Sequence, residues 1–256
     1  MSELRSLPVY EADAVEVPFV ISGMDEQVHR DTRWEEHSHP THELLWNEHG
    51  ASTISVGSRT WTITPTLGLW IPAGVLHSGS APAGTWYRAA QFGVRTAPPL
   101  AAEPVAVEIT PLLGLLLDRL TRERLGEASR ALTEAMVLDV LAPSARGLLV
   151  QVPASALLAP IVEAVLEDPA DPRSLGDWAA ELGTSTRTLT RAFRAETGLG
   201  FQRWASTVRT QRAMALLARG IGLDEVAERV GYRSVSAFGA AFRRTTGLTP
   251  GVFRDA

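Results

Sequence analysis

Residues 174–199 read SLGDWAAELGTSTRTLTRAFRAETGL, and this stretch decides the class of fold. Ser174 is placed to cap a helix carrying Leu175, Trp178, Ala179 and Leu182 on one face, and Gly183 ends it. A second start follows at Thr184–Ser185. Leu189, Ala192 and Phe193 then face inward while Thr186, Arg187, Thr190 and Arg191 face outward. Two short helices about a glycine turn, the second presenting Arg and Thr, describe a helix-turn-helix whose reading helix comes second.

Toward the C-terminus the same grammar returns in residues 222–250, GLDEVAERVGYRSVSAFGAAFRRTTGLTP. Val226, Ala227 and Val230 form one apolar face, Gly231–Tyr232 the turn, and Ala237, Phe238, Ala241 and Phe242 the inward face of the next helix. Phe193 and Phe242 hold matching places, so the repeat is internal, with an offset of about 49 residues. Between the copies, FQRWASTVRTQRAMALLARG at 201–220 has one long apolar face, as a rigid connecting helix requires. Such a connector would let two reading helices enter successive major grooves, roughly 34 Å apart on one side of DNA.

These residues resemble the AraC/XylS family of transcriptional regulators, and the resemblance covers essentially all of 174–254. It rests on SLGDWAAELGTSTRTLTRAFRAETG, RTQRAMALLARG, VAERVGYRSVSAFGAAFRRTTGLTP and the closing Pro250-Gly-Val-Phe253-Arg254. It implies an all-α DNA-binding domain with two helix-turn-helix motifs, usually joined to a sensing or dimerising domain. Carried over position by position, it implies base-reading roles for Thr186, Arg187, Thr190 and Arg191 in the first motif and for Arg233, Ser234, Val235 and Ser236 in the second. The second reading helix departs from the family's habit, offering Val235, Ser236, Gly239 and Ala240 where longer polar or cationic side chains are frequent. Its specificity should therefore be weaker, although an apolar side chain can still meet a thymine methyl. Arg243 and Arg244 are read as phosphate contacts.

The charge distribution agrees. The whole chain of 256 residues carries a net charge of −5. Residues 1–169 hold 11 Arg against 21 acidic residues, net −10, whereas residues 170–256 hold 13 Arg against 8, net +5. The C-terminal third has the sign of a polyanion binder, and double-stranded promoter or operator DNA is the partner expected. There is no Lys, so every cation is a guanidinium; genome base composition accounts for that more simply than function does. With no cysteine, disulfides, thiol catalysis and iron–sulfur clusters are excluded, and any metal must be held by histidine or carboxylate. The first residues, MSELRSLPVYEADAVEV, lack the pattern of a secretory leader, and no apolar stretch approaches a membrane span, so a cytoplasmic protein without membrane contact is expected.

The N-terminal half speaks a different language. From Val17 to about Val94 the chain reads as short β segments, for example STISVGSRTWTIT at 52–64, where Ile54 and Val56, then Trp61 and Ile63, alternate about a hairpin at Gly57–Ser58. WNEHGAST, TPTLGLWIPAGVLH and APAGTWYRAAQFGV continue the pattern, which favours a small barrel or jelly roll. Trp46, Trp61 and Trp70 are read as barrel core.

All six histidines, at 29, 37, 39, 42, 49 and 77, fall in this half. His37, His39 and Glu43 differ by even numbers, so on an extended strand they project from one face, whereas His42 should point away. His77 follows the turn Pro72-Ala-Gly74, which would bring it opposite the other three. Three imidazoles and a carboxylate suit Zn²⁺, Fe²⁺, Mn²⁺, Ni²⁺ or Co²⁺. The spacing H-x-H-x₃-E-x₆-G followed by P-x-G-x₂-H resembles the two signature motifs of cupins. Many AraC-type regulators are similar in placing a cupin-like barrel first, often with a degraded metal set; here the set is whole. His42 and His49 are read as structural or surface residues.

A Pro/Ala stretch, TAPPLAAEP at 96–104, breaks the β pattern. ITPLLGLLLDRLTRERL, ASRALTEAMVLDVLA and SALLAPIVEAVLED then show helical spacing, and DPADPRS at 168–174 is a link. The expected organisation is α+β and multidomain: a cupin-like sensor over 1–104, a helical linker and candidate dimerisation region over 105–168, and the DNA-binding domain over 169–256. The Leu-rich helix at 109–120 must bury its wide apolar face against the barrel or against a second subunit in a homodimer.

The reading that results is a sequence-specific transcriptional regulator, not an enzyme, whose cupin-like domain takes a divalent transition metal as effector, with metal homeostasis as the regulated process. A small organic ligand as effector is the alternative. A metal-dependent cupin enzyme is the third reading, opposed by the fused DNA-binding domain and by the lack of acid/base partners beyond the metal set.

Overall fold

The structure, a computed structural model, describes residues 2–144, 149–246 and 248–255. Two compact units divide the chain: Met1–Gly57 with Trp61–Gly147, and Ser58–Thr60 with Leu148–Ala256.

The first unit is built from β1 (Glu3–Arg5), β2 (Ile21–Gln27), β3 (Thr32–His37), β4 (His42–His49), β5 (Ser52–Val56), β6 (Arg59–Ile63), β7 (Leu67–Ile71), β8 (His77–Ala81), β9 (Trp86–Phe92) and β10 (Val105–Glu108). β1, β3, β8, β5 and β6 lie in that order in one sheet, and β10, β7, β4, β9 and β2 in the other. The chain therefore crosses between sheets at every connection from β1 to β10 except β5–β6 and β9–β10, as in a jelly roll. The hairpin at Gly57–Ser58 joins β5 to β6, with Gly57 at a φ of 55° that favours glycine. β1 and β10 lie outside the β region read from sequence: β1 pairs parallel to β3, and β10 resumes the sheet beyond the Pro/Ala stretch by pairing with β7.

Alternation along each strand sorts the apolar residues into two layers. Leu45, Leu69 and Ala89 meet Ile54, Trp61 and Ile63 of the opposite sheet in the interior. Leu44, Trp46, Trp70 and Phe92 face the other way, onto α1 (Pro111–Arg122) and α2 (Glu127–Val140). Of the three indoles expected in the barrel core, only Trp61 is there; Trp46 and Trp70 lie on the outer face of the second sheet, beneath the helices.

Thr110 caps α1 by accepting from the Leu113 N–H, with Pro111 at the first helical position where its missing N–H costs nothing. The wide apolar face of this helix divides. Leu113, Leu116, Leu117 and Leu120 are buried against the sheet, while Leu112 and Leu115 stay exposed at 47% and 70%.

The second unit contains β11 (Leu149–Gln151), α3 (Ala159–Glu167), α4 (Leu175–Glu181), α5 (Thr186–Thr197), α6 (Phe201–Leu217), α7 (Leu223–Arg229), α8 (Val235–Thr246) and α9 (Pro250–Asp255). Ile161, Val162 and Val165 of α3 share one core with Trp178, Leu189, Phe193 and Trp204. The 105–168 region is thus no separate linker. α1 and α2 belong to the first unit and α3 to the second, because each buries its apolar stripe on a different core. Among the described residues, no helix is long and apolar enough to cross a membrane.

Candidate functional site

The four residues expected to hold a metal come together, though not by the route strand parity implied. His37 is the last residue of β3, Glu43 the second of β4, and these strands belong to opposite sheets; residues 38–41 form the corner between them. His39 sits on that corner. His77 opens β8, delivered by Gly74 at a φ of 75°, and is registered directly opposite His37. One ring nitrogen from each of His37, His39 and His77 lies within 4.8 Å of the others. Glu43 Oε1 is 3.5 Å from His39 Nε2, and Oε2 is 3.5 Å from His77 Nε2. His37, Glu43 and His77 are buried, and His39 is partly so.

Three local features prepare these side chains for a cation. The Nδ1 atoms of His37 and His77 lie 2.7 and 2.9 Å from the Glu35 and Val75 carbonyl oxygens. Because a carbonyl only accepts, both Nδ1 atoms carry a proton, and in the neutral rings the lone pair sits on Nε2. Gln91, opposite Glu43 in the β4–β9 register, donates from Nε2 to Glu43 Oε1 at 2.6 Å, and its own carbonyl accepts from the Thr41 hydroxyl. Glu43 Oε2 is left buried without a hydrogen-bond donor. A buried carboxylate with His39 at one oxygen and His77 at the other, beside His37 and in a chain without thiols, matches the donor set of a divalent transition ion.

The electrostatics follow. Burial pushes the His37 imidazole below its ordinary value, with help from the neighbouring His77 and His39, so it is neutral near pH 7. Burial would raise the Glu43 carboxyl, but the imidazoles around it outweigh that and hold it below the usual carboxylate range. For His77 burial acts downward, and the Glu43 carboxylate reverses the sign.

Sequence reasoning missed Gln91 and Thr41. Nothing in the spacing marks them, because only the β4–β9 register brings Gln91 to Glu43. His42 has the parity that sends it to the other layer. There its ring stacks on Trp70, and its Nδ1 accepts from the Ala73 N–H at 3.0 Å. His49 lies beside Trp86, far along β4 from Glu43.

A cavity of about 90 Å³ opens beside the cluster, and all four residues line it. Leu45, Ile54, Ile63 and Ala89 form its apolar wall; Leu7 and Met24, 39% and 47% exposed, stand where it reaches the surface. Its hydroxyls are engaged within the protein. Tyr87 donates to Glu26, Ser52 to Asn47, and Ser80 pairs with Thr53.

In the second unit α4–α5 and α7–α8 form the two helix-turn-helix motifs, joined by α6. Ser174 and Asp177 make a reciprocal capping box at α4, and Ser185 caps α5. Gly183 and Gly231 take φ of 61° and 78° in the corresponding turns. On α5, Thr186, Arg187 and Arg191 are exposed and Thr190 is partly so, its hydroxyl donating to the Thr186 carbonyl. In the second motif Arg233, Ser234 and Ser236 are exposed, Val235 is half-buried, and Arg243 and Arg244 are exposed near the C-terminal end of α8. Phe238, Ala241 and Phe242 face inward as expected, but Ala237, in the first turn of α8, is exposed. Arg209 of α6 donates to the Pro169 and Asp171 carbonyls and lies over the Tyr232 ring, tying the link before α4 to the second turn.

The family described as AraC-like ligand binding domain matches residues 19–141, and that described as helix-turn-helix domain matches residues 178–256. The HTH-type transcriptional regulator NimR of Escherichia coli K12 is 29% identical over 219 residues, 84% of this chain and 80% of that one. RipA of Corynebacterium glutamicum, another HTH-type transcriptional regulator, is 39% identical over 93 residues, 36% of this chain and 28% of its own. Among solved structures, ToxT of Vibrio cholerae aligns over 92% of this chain and 97% of that one at 11% identity, with a TM-score of 0.39. These matches are to regulators rather than enzymes, and the chain belongs to the AraC family of DNA-binding transcriptional regulators, with an AraC-like ligand binding domain ahead of its helix-turn-helix domain.

Proposed function

We propose that this regulator senses a divalent transition metal, held by His37, His39, Glu43 and His77, and that occupancy of this centre changes the affinity of the helix-turn-helix motifs for operator DNA. The observation that carries the reading is the buried Glu43 Oε2, without a hydrogen-bond donor and faced by imidazoles whose Nδ1 protons are already committed to carbonyls. Fe²⁺, Zn²⁺, Ni²⁺, Mn²⁺ and Co²⁺ all accept such a donor set. Occupancy regulates only if the ion binds one conformation of the protein better than another.

In this reading Thr186, Arg187, Thr190 and Arg191 read bases, as do Arg233, Ser234, Val235 and Ser236, while Arg243 and Arg244 hold phosphate. The protein acts as a homodimer, for which the exposed Leu112 and Leu115 of α1 and Leu132 and Met136 of α2 supply apolar surface.

The test is fluorescence anisotropy of labelled upstream DNA with metal-stripped protein, and then with each ion added at fixed salt. An affinity change of at least tenfold with one ion, about 1.4 kcal/mol of coupling, is the expected result. Specific DNA binding that no ion alters would overturn the metal reading and leave the DNA-binding function standing.

A further inference from the structure

α6 serves both motifs, and it does so by halves. Phe201, Trp204, Ala205 and Val208 of its first half share one core with Trp178, Leu189 and Phe193 of the first motif. Ala213, Met214, Leu216 and Leu217 of its second half are buried outside that core, and α6 also packs on α7 and α8 of the second motif. Each motif thus has its own hold on the connecting helix. The separation of α5 from α8 then depends on what else joins the two.

Arg209 stands at the middle of α6, where one half gives way to the other. Its Nε donates to the Pro169 carbonyl at 2.7 Å and its Nη2 to the Asp171 carbonyl at 3.2 Å. The same guanidinium lies 5.9 Å from the centre of the Tyr232 ring in the second turn. Beside it Gly231 lets that turn close on the same link, since a Cβ there would lie 2.9 Å from Ala170 Cα. The link has a fixed shape of its own: Asp168 Oδ1 accepts from the Ala170 N–H, and the Asp168 carbonyl from the Asp171 N–H. Its far end is held to α4. Arg173 grips the Asp171 carboxylate through Nε and Nη2, reaches Glu181 Oε2 at 3.0 Å and lies 3.6 Å from the centre of the Trp178 ring. A continuous strut therefore runs from the second turn, through Arg209 and Ala170, to the first helix of the first motif.

Spacing is what such a strut controls. Successive major grooves lie roughly 34 Å apart, so two reading helices at a fixed separation accept one spacing between the segments they read. One inserted base pair displaces the second segment by about 3.4 Å and about a tenth of a turn. Two of the Arg209 donors are engaged on carbonyls within the protein, unlike the exposed Arg187 and Arg191 of the reading helix.

We propose that Arg209 is a positioning residue: by joining the link at 168–173 to Tyr232 it fixes the separation of α5 and α8, and so selects the spacing of the two DNA segments this protein accepts. This rests on the reading that both helices enter DNA and deepens it, since spacing becomes a determinant of the operator beside base sequence.

The experiment uses the full-length protein. Double-stranded DNA with a random core is selected against the wild type, and the enriched sequence is remade with one base pair inserted or removed between the two selected blocks. Anisotropy at fixed salt compares the wild type with Arg209→Ala on each DNA. The wild type is expected to lose about tenfold or more in affinity at each altered spacing, and Arg209→Ala no more than about threefold, with the same bases selected within each block.

If Arg209→Ala does not fold, as judged by helical circular dichroism, Arg173→Ala releases the other end of the strut from α4 and provides the same reading. A variant that folds and still discriminates between spacings as the wild type does overturns the proposal, leaving Arg209 a residue of stability alone. So does a salt dependence lowered by about one phosphate contact with the spacing discrimination intact, which would place Arg209 on the DNA backbone. A wild type that selects a single block overturns instead the two-helix reading beneath the proposal.

Discussion

His37, at the end of β3, and His77, at the start of β8, are direct partners in the antiparallel register, with ring centroids 4.3 Å apart. The two residues are separated by most of the barrel in sequence and by one ladder rung in space. Their Nδ1 protons are both directed at carbonyls two residues earlier in the chain, so in the neutral rings the pair presents two Nε2 lone pairs from adjacent strands inside the sheet.

Replacing His39 and His77 together with alanine should lower metal affinity by more than about a hundredfold, while basal binding to DNA is retained, because no part of either motif depends on these rings. Calorimetric titration of metal alongside DNA anisotropy checks both halves. An unchanged metal response in the double variant would remove the site.

Gln91→Leu should leave the barrel folded yet weaken metal binding by about 10- to 100-fold, since Glu43 Oε1 loses the amide that orients it. A merely structural role for Gln91 would show instead as a lower melting temperature with metal affinity intact.

Arg187→Ala should cost about 1–3 kcal/mol of discrimination between operator and random DNA, the signature of a base contact on an exposed reading helix. Arg243→Ala should weaken both DNAs alike and reduce the salt dependence by about one phosphate contact. Equal losses on both DNAs for Arg187→Ala would reassign it to the backbone.

Gly183 and Gly231 hold equivalent turns with different surroundings. A Cβ at Gly183 meets open space, whereas one at Gly231 would lie 2.9 Å from Ala170 Cα. Gly183→Ala should cost roughly 1–2 kcal/mol from its left-handed backbone alone, and Gly231→Ala more, because the link at Ala170 must also shift. Chemical denaturation followed by helical circular dichroism compares them, and equal costs would contradict the close approach.

Arg5 holds Glu26 below its ordinary value through paired contacts of 2.9 and 2.8 Å. A carboxyl lowered on folding adds stability that is present above its unfolded value, near 4.5, and is lost as pH falls through the folded value. Arg5→Ala should therefore reduce stability near pH 7 by at most about 1 kcal/mol for so exposed a pair, and the difference should vanish in acid. Melting curves across pH test this, and a difference that persists below both values would point to lost packing over Trp34 instead.

The two helix-turn-helix motifs were legible because everything that defines them is local. Ser174 and Ser185 as caps, Gly183 and Gly231 as turns, and the apolar spacing of Trp178, Leu189, Phe193 and Phe242 all act within one or two helical turns. Ala237 shows the limit, since helical spacing fixes a face only to within one residue at its margin. That His37, His39, Glu43 and His77 would come together was legible by type and by the cupin-like spacing, but the argument from strand parity rested on a single strand that does not exist. His37 and Glu43 meet because β3 and β4 turn a corner between sheets.

By itself, then, the sequence determined the identity of the DNA-binding repeat and the hairpin at Gly57, which depend on contacts close along the chain, and it named the His/Glu set by residue type and spacing. Only the tertiary structure decided that Gln91 braces Glu43, that Trp46 and Trp70 sit under α1 and α2 outside the barrel, and that the Leu-rich helix splits its apolar face between the sheet and the surface. Each of these follows from strand order and register, which pair residues tens of positions apart and which no local periodicity encodes.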